Sequence, residues 1–215
     1  MQLLFVRHGQ SSANTLQVFA NRCADLYPLT SLGRRQASDL ALLLASEPVS
    51  HVYTSPLLRA RQTAAMVATQ LSLPLEVAPA LREYDVGEFE GQPYGDAHAW
   101  RMDAYQENEA HWRQGDASHR LANGESLHEL RERMGPFVRG LELIHASSDT
   151  ILLVGHGGLF RVTLPGLLEN VTPDFSHAHL LDHGTIVRAT LRDGRLACTE
   201  WGDQKVPAEG FDGLG

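Results

Sequence analysis

Two short apolar runs dominate the hydrophobic pattern of the chain. Leu3-Leu4-Phe5-Val6 stops at Arg7-His8-Gly9-Gln10, and Ile151-Leu152-Leu153-Val154, after Thr150, stops at Gly155-His156-Gly157-Gly158. Runs this short, bounded by turn residues, predict strands buried on both faces, as in the middle of a parallel sheet. What leaves the carboxyl end of such a strand is delivered to the crevice where open α/β sheets bind ligands. Each run thus brings a histidine beside glycine to that crevice, and the two histidines are expected to face each other across one anion.

The segments between the runs alternate in period. Residues 9–30 are polar and irregular, which predicts a loop near the crevice. Ser31 to Ser46 carries Leu32, Ala37, Leu40, Ala41, Leu43 and Leu44 at helical spacing. His51 to Thr54 reads as a short strand. Ser55-Pro56 reads as a helix start, serine as the cap and proline at the first helical position, with the helix running to about Leu71. Pro74 to Val77 is again extended. Strands alternating with helices predict a three-layer α/β/α sandwich around a mostly parallel sheet. Residues 83–124 break the rhythm: Gly87, Gly91 and Gly95 precede a polar stretch holding Trp100, Tyr105 and Trp112. Residues 92–124 are therefore expected to form an inserted, lid-like segment of one domain spanning residues 1–215.

Glu125 to Ala146 reads as a long amphipathic helix with Leu127, Leu130, Met134, Phe137, Val138 and Leu141 on one side, and Pro136 as a bend or break. After the second apolar run a helix is expected from about Gly158 to Glu169. Gly184–Arg192 and Arg195–Trp201, joined by Asp193-Gly194, read as a C-terminal hairpin, and the tail after Pro207 as frayed.

Composition narrows the function. The net charge of −8 offers neither nucleic acid nor a membrane surface the clustered positive charge it needs. Of 18 basic residues only Lys205 is lysine, which reads first as genomic bias, although arginine suits phosphate. Cys23 and Cys198 make no disulfide framework and no thiolate metal site. The amino terminus has no signal-peptide pattern and no apolar run is long enough to span a membrane, so a cytoplasmic location is expected. With no P-loop and no paired-carboxylate magnesium site, neither a metal nor a cofactor is expected.

Arg7, His8, Arg59 and His156 fall at strand ends or one turn into a following helix, so they can meet in one crevice as a phosphate pocket. Gly9, Gly155, Gly157 and Gly158 would let backbone approach a phosphate without a Cβ in the way. These residues resemble the histidine phosphatase superfamily in its phosphoglycerate-mutase-like branch. The resemblance rests on Val6-Arg7-His8-Gly9-Gln10-Ser11 with Asn14, and on Pro28-Leu29-Thr30 with Gly33 and Gln36-Ala37. It continues through Ser55-Pro56-Leu57-Leu58-Arg59-Ala60 with Gln62-Thr63-Ala64, then Leu81-Arg82-Glu83 with Gly87 and Phe89-Glu90-Gly91, and Gly155-His156-Gly157-Gly158.

The resemblance implies His8 as the nucleophile that becomes phosphohistidine, with Arg7, Arg59, His156, Asn14 and Gly157 around the phosphate. It implies Glu83 as the acid that protonates the leaving oxygen and later activates water; Asp85, Glu88 and Glu90 compete with it on spacing alone. Glu125 and Ser126 resemble a Gly-Glu-Ser element that could reach the edge of the site. His177, His179 and His183 are expected to be solvated loop histidines.

The expected activity is hydrolysis of a small phosphorylated metabolite. The alternative is a phosphoglycerate mutase, disfavoured because Glu83-Tyr84-Asp85-Val86-Gly87 is acidic where mutases carry a histidine-tyrosine-glycine stretch. A non-catalytic anion-binding protein is the third reading. The sequence leaves the substrate open and is compatible with a homodimer.

Overall fold

The computed structural model describes residues 1–207, so the expected frayed tail lies outside the described residues. Seven strands form one sheet: β1 (Gln2–Arg7), β2 (Val49–Thr54), β3 (Leu75–Val77), β4 (Thr150–Gly155), β5 (Ile186–Arg192), β6 (Arg195–Trp201) and β7 (Gln204–Lys205). Their order is β3-β2-β4-β1-β5-β6-β7. The first four are parallel and the last three antiparallel.

Alternation along the two central strands builds the three layers. Leu3 and Phe5 of β1, with Ile151 and Leu153 of β4, join the core on one face. Leu4, Val6, Leu152 and Val154 join the core on the other. Both strands are apolar at their four central positions, Leu3–Val6 and Ile151–Val154, because both faces are buried there. Helices α2 (Ser31–Leu44) and α3 (Leu58–Leu71) cover the second face. Helices α5 (Leu127–Ile144) and α6 (Gly157–Thr163) cover the first, with α7 (Pro173–Ala178) beside α6. Residues 92–124 include α4 (Ala99–Arg113) and contribute Tyr94, Met102, Tyr105 and Glu109 to the lining of the crevice.

Local chemistry fixes several boundaries. Thr30 caps α2 by accepting from the Gly33 N–H at 3.0 Å. Ser126 accepts from Glu129, whose carboxylate returns to the Ser126 N–H, a reciprocal capping box. Asp193 and Gly194 both take positive φ, 53° and 74°, which matches the twist of the β5–β6 hairpin.

Four expectations need correction. The loop over residues 9–30 contains a short helix, α1 (Ser12–Leu16), because the Asn14 side chain accepts from the Ser11 N–H and hydroxyl at 2.9 Å each. Helix α3 starts at Leu58: the Ser55 hydroxyl accepts from the Leu57 N–H at 3.3 Å and contacts His156, and the cap residue Leu57 has no side-chain bond. Helix α5 runs unbroken through Pro136. Helix α6 ends at Thr163 and tightens into a 3-10 turn containing Pro165, which has no N–H to continue the ladder. No helix among the described residues is long and apolar enough to cross a membrane.

Candidate active site

The carboxyl ends of β1 and β4 lie side by side, Arg7 registering with Gly155, so the two histidine-bearing turns are neighbours. The His8 ring is 97% hidden, being 3% exposed, and its Nδ1 lies 2.7 Å from the carbonyl of Gly9. The carbonyl can only accept, so Nδ1 carries the proton and Nε2 keeps a bare lone pair. Arg59, one turn into α3, donates its Nε–H to that Nε2 at 3.0 Å and its Nη1–H to the Ala20 carbonyl at 2.7 Å. Burial, then the Arg59 and Arg7 charges, hold His8 well below the ordinary imidazole value, so the ring is neutral. Burial pulls Arg59 down to about 10, which leaves it cationic.

The turn can fit this closely because two glycines touch. A Cβ on Gly9 would stand 2.4 Å from the Gly33 carbonyl oxygen, and one on Gly33 1.9 Å from that of Gln10. The Gly9 N–H donates to the Thr63 hydroxyl at 3.0 Å, which donates to the Arg59 carbonyl at 2.8 Å, tying the turn to α3.

His156 is fully buried and meets His8 edge to face, ring centroids 5.0 Å apart. The two histidines that the sequence expects to meet at one crevice are thus neighbours. Nε2 of His156 is 2.7 Å from the Ser55 hydroxyl, while its Nδ1 has no partner in the protein. Burial first, then Arg59 and His8, lowers its pKa well below the usual value. Arg7 donates Nη1–H to the Leu181 carbonyl at 2.5 Å and leaves Nε buried and unpartnered. Gly157 makes room for it, since a Cβ there would lie 3.0 Å from the Arg7 Cδ and Nε atoms.

Glu83 lies in the same crevice. Its carboxylate accepts from the Tyr84 N–H at 3.0 Å and from the Gly158 N–H at 3.1 Å. Burial raises its pKa against the opposing pull of the Tyr84 N–H, of Arg59 and Arg161, and of the Leu159 N–H. The rival acids are engaged away from the crevice: Asp85 binds Arg22 at 2.6 Å, Glu90 accepts from the Asn21 and Arg22 N–H groups, and Glu88 accepts from Asn123. Glu125 pairs with Arg133 and accepts from the Asp85 N–H, and Ser126 caps α5, so this pair braces the Glu83 loop from outside.

Arg7, His8, Asn14, Arg59, Glu83 and Gly157 thus line one cavity of about 530 Å³, with His156 beneath its floor against His8. Val18, Phe19, Tyr94, Met102 and Leu180 give its outer wall an apolar lining. Of the aromatic residues in the insertion, Tyr105 reaches the cavity, Trp112 is buried in the core and Trp100 is 56% exposed.

Sequence reasoning missed four polar residues here. His183 is no solvated loop residue: its Nε2 lies 3.2 Å from Arg7 Nη2 and 3.2 Å from Asn14 Oδ1, and its ring centroid 5.8 Å from that of His8. Burial, then Arg7, holds it down to about 4. Glu109, Arg161 and His177 form a charged cluster on the far wall. Glu109 accepts from Arg161 at 2.6 Å and from the Tyr84 hydroxyl at 2.8 Å, with His177 Nε2 3.4 Å away. His179 stacks on Phe175 instead, at 4.2 Å. Only tertiary packing joins these residues; Glu109 sits on a helix whose polar spacing looks like a solvated face.

The chain is similar to known proteins in sequence and in fold. The family model described as histidine phosphatase superfamily (branch 1) matches residues 3–204. A putative phosphoserine phosphatase 2 from Hydrogenobacter thermophilus is 34% identical over 79% of this chain and 82% of its own length. A probable phosphoglycerate mutase from Yersinia enterocolitica is 32% identical over 78% and 76%. Among solved structures, a mycobacterial glucosyl-3-phosphoglycerate phosphatase complexed with VO3 aligns at TM-score 0.79 and 25% identity, covering 94% of this chain and 99% of that one. An α-ribazole phosphatase from Shigella flexneri aligns at 0.75 and 26%, covering 97% and 100%. By the extent of these matches, the chain belongs to branch 1 of the histidine phosphatase superfamily.

Proposed function

We propose that the protein hydrolyses a small phosphomonoester through a phosphohistidine formed on His8, within one domain whose segment 92–124 closes over the substrate as a lid. The observation that carries this reading is the state of His8: a neutral ring, protonated at Nδ1 by its bond to Gly9, with Nε2 aimed at a guanidinium and nothing bonded that cannot move aside.

In the first step Nε2 attacks phosphorus and the phosphorus–oxygen ester bond breaks. Protonated Glu83 gives its proton to the departing oxygen, so an alcohol leaves. Arg7, Arg59 and His156, with Asn14 at the edge and Gly157 allowing close approach, hold the three equatorial oxygens. In the second step ionised Glu83 takes a proton from water, the oxygen attacks phosphorus, the nitrogen–phosphorus bond breaks, and His8 returns neutral with inorganic phosphate released. The raised pKa of Glu83 supports both halves, because such a carboxyl group is more often protonated for the first step and, once ionised, is a stronger base for the second. The apolar wall of Val18, Phe19, Met102 and Leu180 supports a leaving group with a carbon body.

Similarity to the probable phosphoglycerate mutase favours one second reading, return of the phosphate to a bound acid. The far wall offers Arg161 for an acid group, but Glu109 already neutralises it, which favours water as the acceptor. A panel of phosphomonoesters, assayed with and without chelator beside His8→Ala, tests the reading. Net phosphate release that His8→Ala abolishes and chelator spares supports it. Interconversion of 2- and 3-phosphoglycerate without release would replace it by the mutase.

A further inference from the structure

Away from the cavity, three metal-ligating side chains converge between β2 and the turn that follows α5. Period two along β2 puts His51 and Tyr53 on the face that α5 covers, where Tyr53 meets Phe137 at 5.8 Å. Helix α5 ends at Ile144, and the next residue, His145, leaves in an extended conformation with φ −126° and ψ 157°. Its ring stands 4.1 Å from that of His51, centroid to centroid. The chain then turns back. The Asp149 carboxylate accepts the Ala146 N–H at 2.8 Å, which sets its Oδ2 3.6 Å from His51 Nε2. One ring nitrogen of each histidine and one Asp149 oxygen lie within 4.8 Å of one another, and all three residues are half-buried.

We propose that His51, His145 and Asp149 form a binding site for a divalent transition-metal ion, zinc being the best match to the donors. Two imidazoles, one carboxylate and a face open to water make the mixed nitrogen and oxygen set that zinc accepts in tetrahedral geometry. The ring planes are inclined by 49°, so their in-plane lone pairs can converge. Tyr53 Oη stands 2.9 Å from His145 Nε2. With Nδ1 turned to the ion, that contact becomes the outer hydrogen bond that metal-bound histidines ordinarily have. Glu76, the register partner of Tyr53 on β3, adds a second negative charge on the same face.

The other candidate group fails on geometry. His111 and His119 lie near Asp116, but their rings stack 3.8 Å apart with only 6° between planes. The lone pairs of parallel rings do not meet at a point, so no ion serves both while the stack stands. The cavity is a poor rival for a cation, since the charges of Arg7 and Arg59 bear on His8. An ion at His51 would tie β2 to the α5–β4 turn and leave the cavity untouched.

The proposal is independent of the phosphatase reading. The whole chain, stripped with chelator, is titrated with Zn²⁺ by calorimetry, and its thermal midpoint is read with and without the ion. One strong equivalent and a higher midpoint are expected. His51→Ala and Asp149→Asn should each weaken binding by more than about 100-fold, beyond the 10–100-fold typical of losing a ligand's outer partner. His51→Gln, which keeps the side-chain bulk on β2, should do the same, while His111→Ala and His8→Ala should bind zinc as the parent does. Phosphatase turnover in chelator should be equal in the parent and in His51→Gln. No uptake by the parent, uptake that survives both His51 variants, or uptake lost in His8→Ala would overturn the site.

Discussion

The Nε–H of Arg59 points at Nε2 of His8 across 3.0 Å, so the cation that would hold the phosphate also covers the nitrogen that would attack it. When a phosphate arrives, the guanidinium can exchange the ring nitrogen for a phosphate oxygen, which uncovers the lone pair at the moment it is needed. Arg59→Ala removes both roles, and Arg59→Lys restores charge without the fork. Turnover should fall about 100- to 1,000-fold in Arg59→Ala, the usual loss for one stabilising donor, with little recovery in Arg59→Lys. Steady-state kinetics on one ester check this; full activity in Arg59→Lys would mean that charge alone suffices.

Glu83 is held by two backbone N–H groups, one of them from Gly158, and that contact makes Gly158 a positioning residue. A Cβ added there would stand 2.9 Å from Glu83 Oε2 and 2.9 Å from the Tyr105 hydroxyl. Gly158→Ala should lower turnover on an alkyl phosphate and do less harm on an aryl phosphate, whose departing oxygen needs no proton. Glu83→Gln should show the same split, losing about 100- to 10,000-fold on the alkyl ester. Equal losses on both esters would remove Glu83 from the acid role.

His183 offers one nitrogen, Nε2, to both a donor, Arg7, and an acceptor, Asn14. It can satisfy one of them at a time, so it orients Arg7 only as the tautomer protonated on Nδ1. His183→Ala should raise KM and the inhibition constant of inorganic phosphate about tenfold, with a smaller change in kcat, because binding rather than chemistry is disturbed. Unchanged phosphate inhibition would leave His183 without a part in the pocket.

The histidines also predict a pH dependence of stability. His8, His156 and His183 are all held below the ordinary 6.5 in the folded protein, His183 at about 4. As pH falls, the unfolded chain takes up these protons first. Stability is therefore whole above pH 6.5 and declines toward the folded-state values. Thermal midpoints should drop between about pH 7 and pH 5, and less steeply in His183→Asn, which has one fewer such group. Equal slopes in the two proteins would contradict the burial assigned to His183.

The sequence made the sheet legible because β1 and β4 are apolar without interruption, a pattern that few other environments produce. That Arg7, His8 and Arg59 would meet in one crevice, with His156 against His8, was legible because they sit at strand ends or in the first turn of a helix, where topology alone brings them together. Ser55 misled because its hydroxyl accepts from the Leu57 N–H and contacts His156 at once, so the serine stands ahead of the helix instead of at its cap, and only the folded chain brings His156 to it. His183 and Glu109 were hidden for a different reason: their partners Asn14 and Arg161 lie 169 and 52 residues away in the chain, and no local period links them.

The covalent intermediate is the most direct test. Protein mixed with a ³²P-labelled phosphomonoester and quenched in alkali within one turnover should carry label that acid releases, located on the peptide containing His8 and absent from His8→Ala. Hydrolysis at full rate with no labelled protein, or label found on a residue other than His8, would contradict the account.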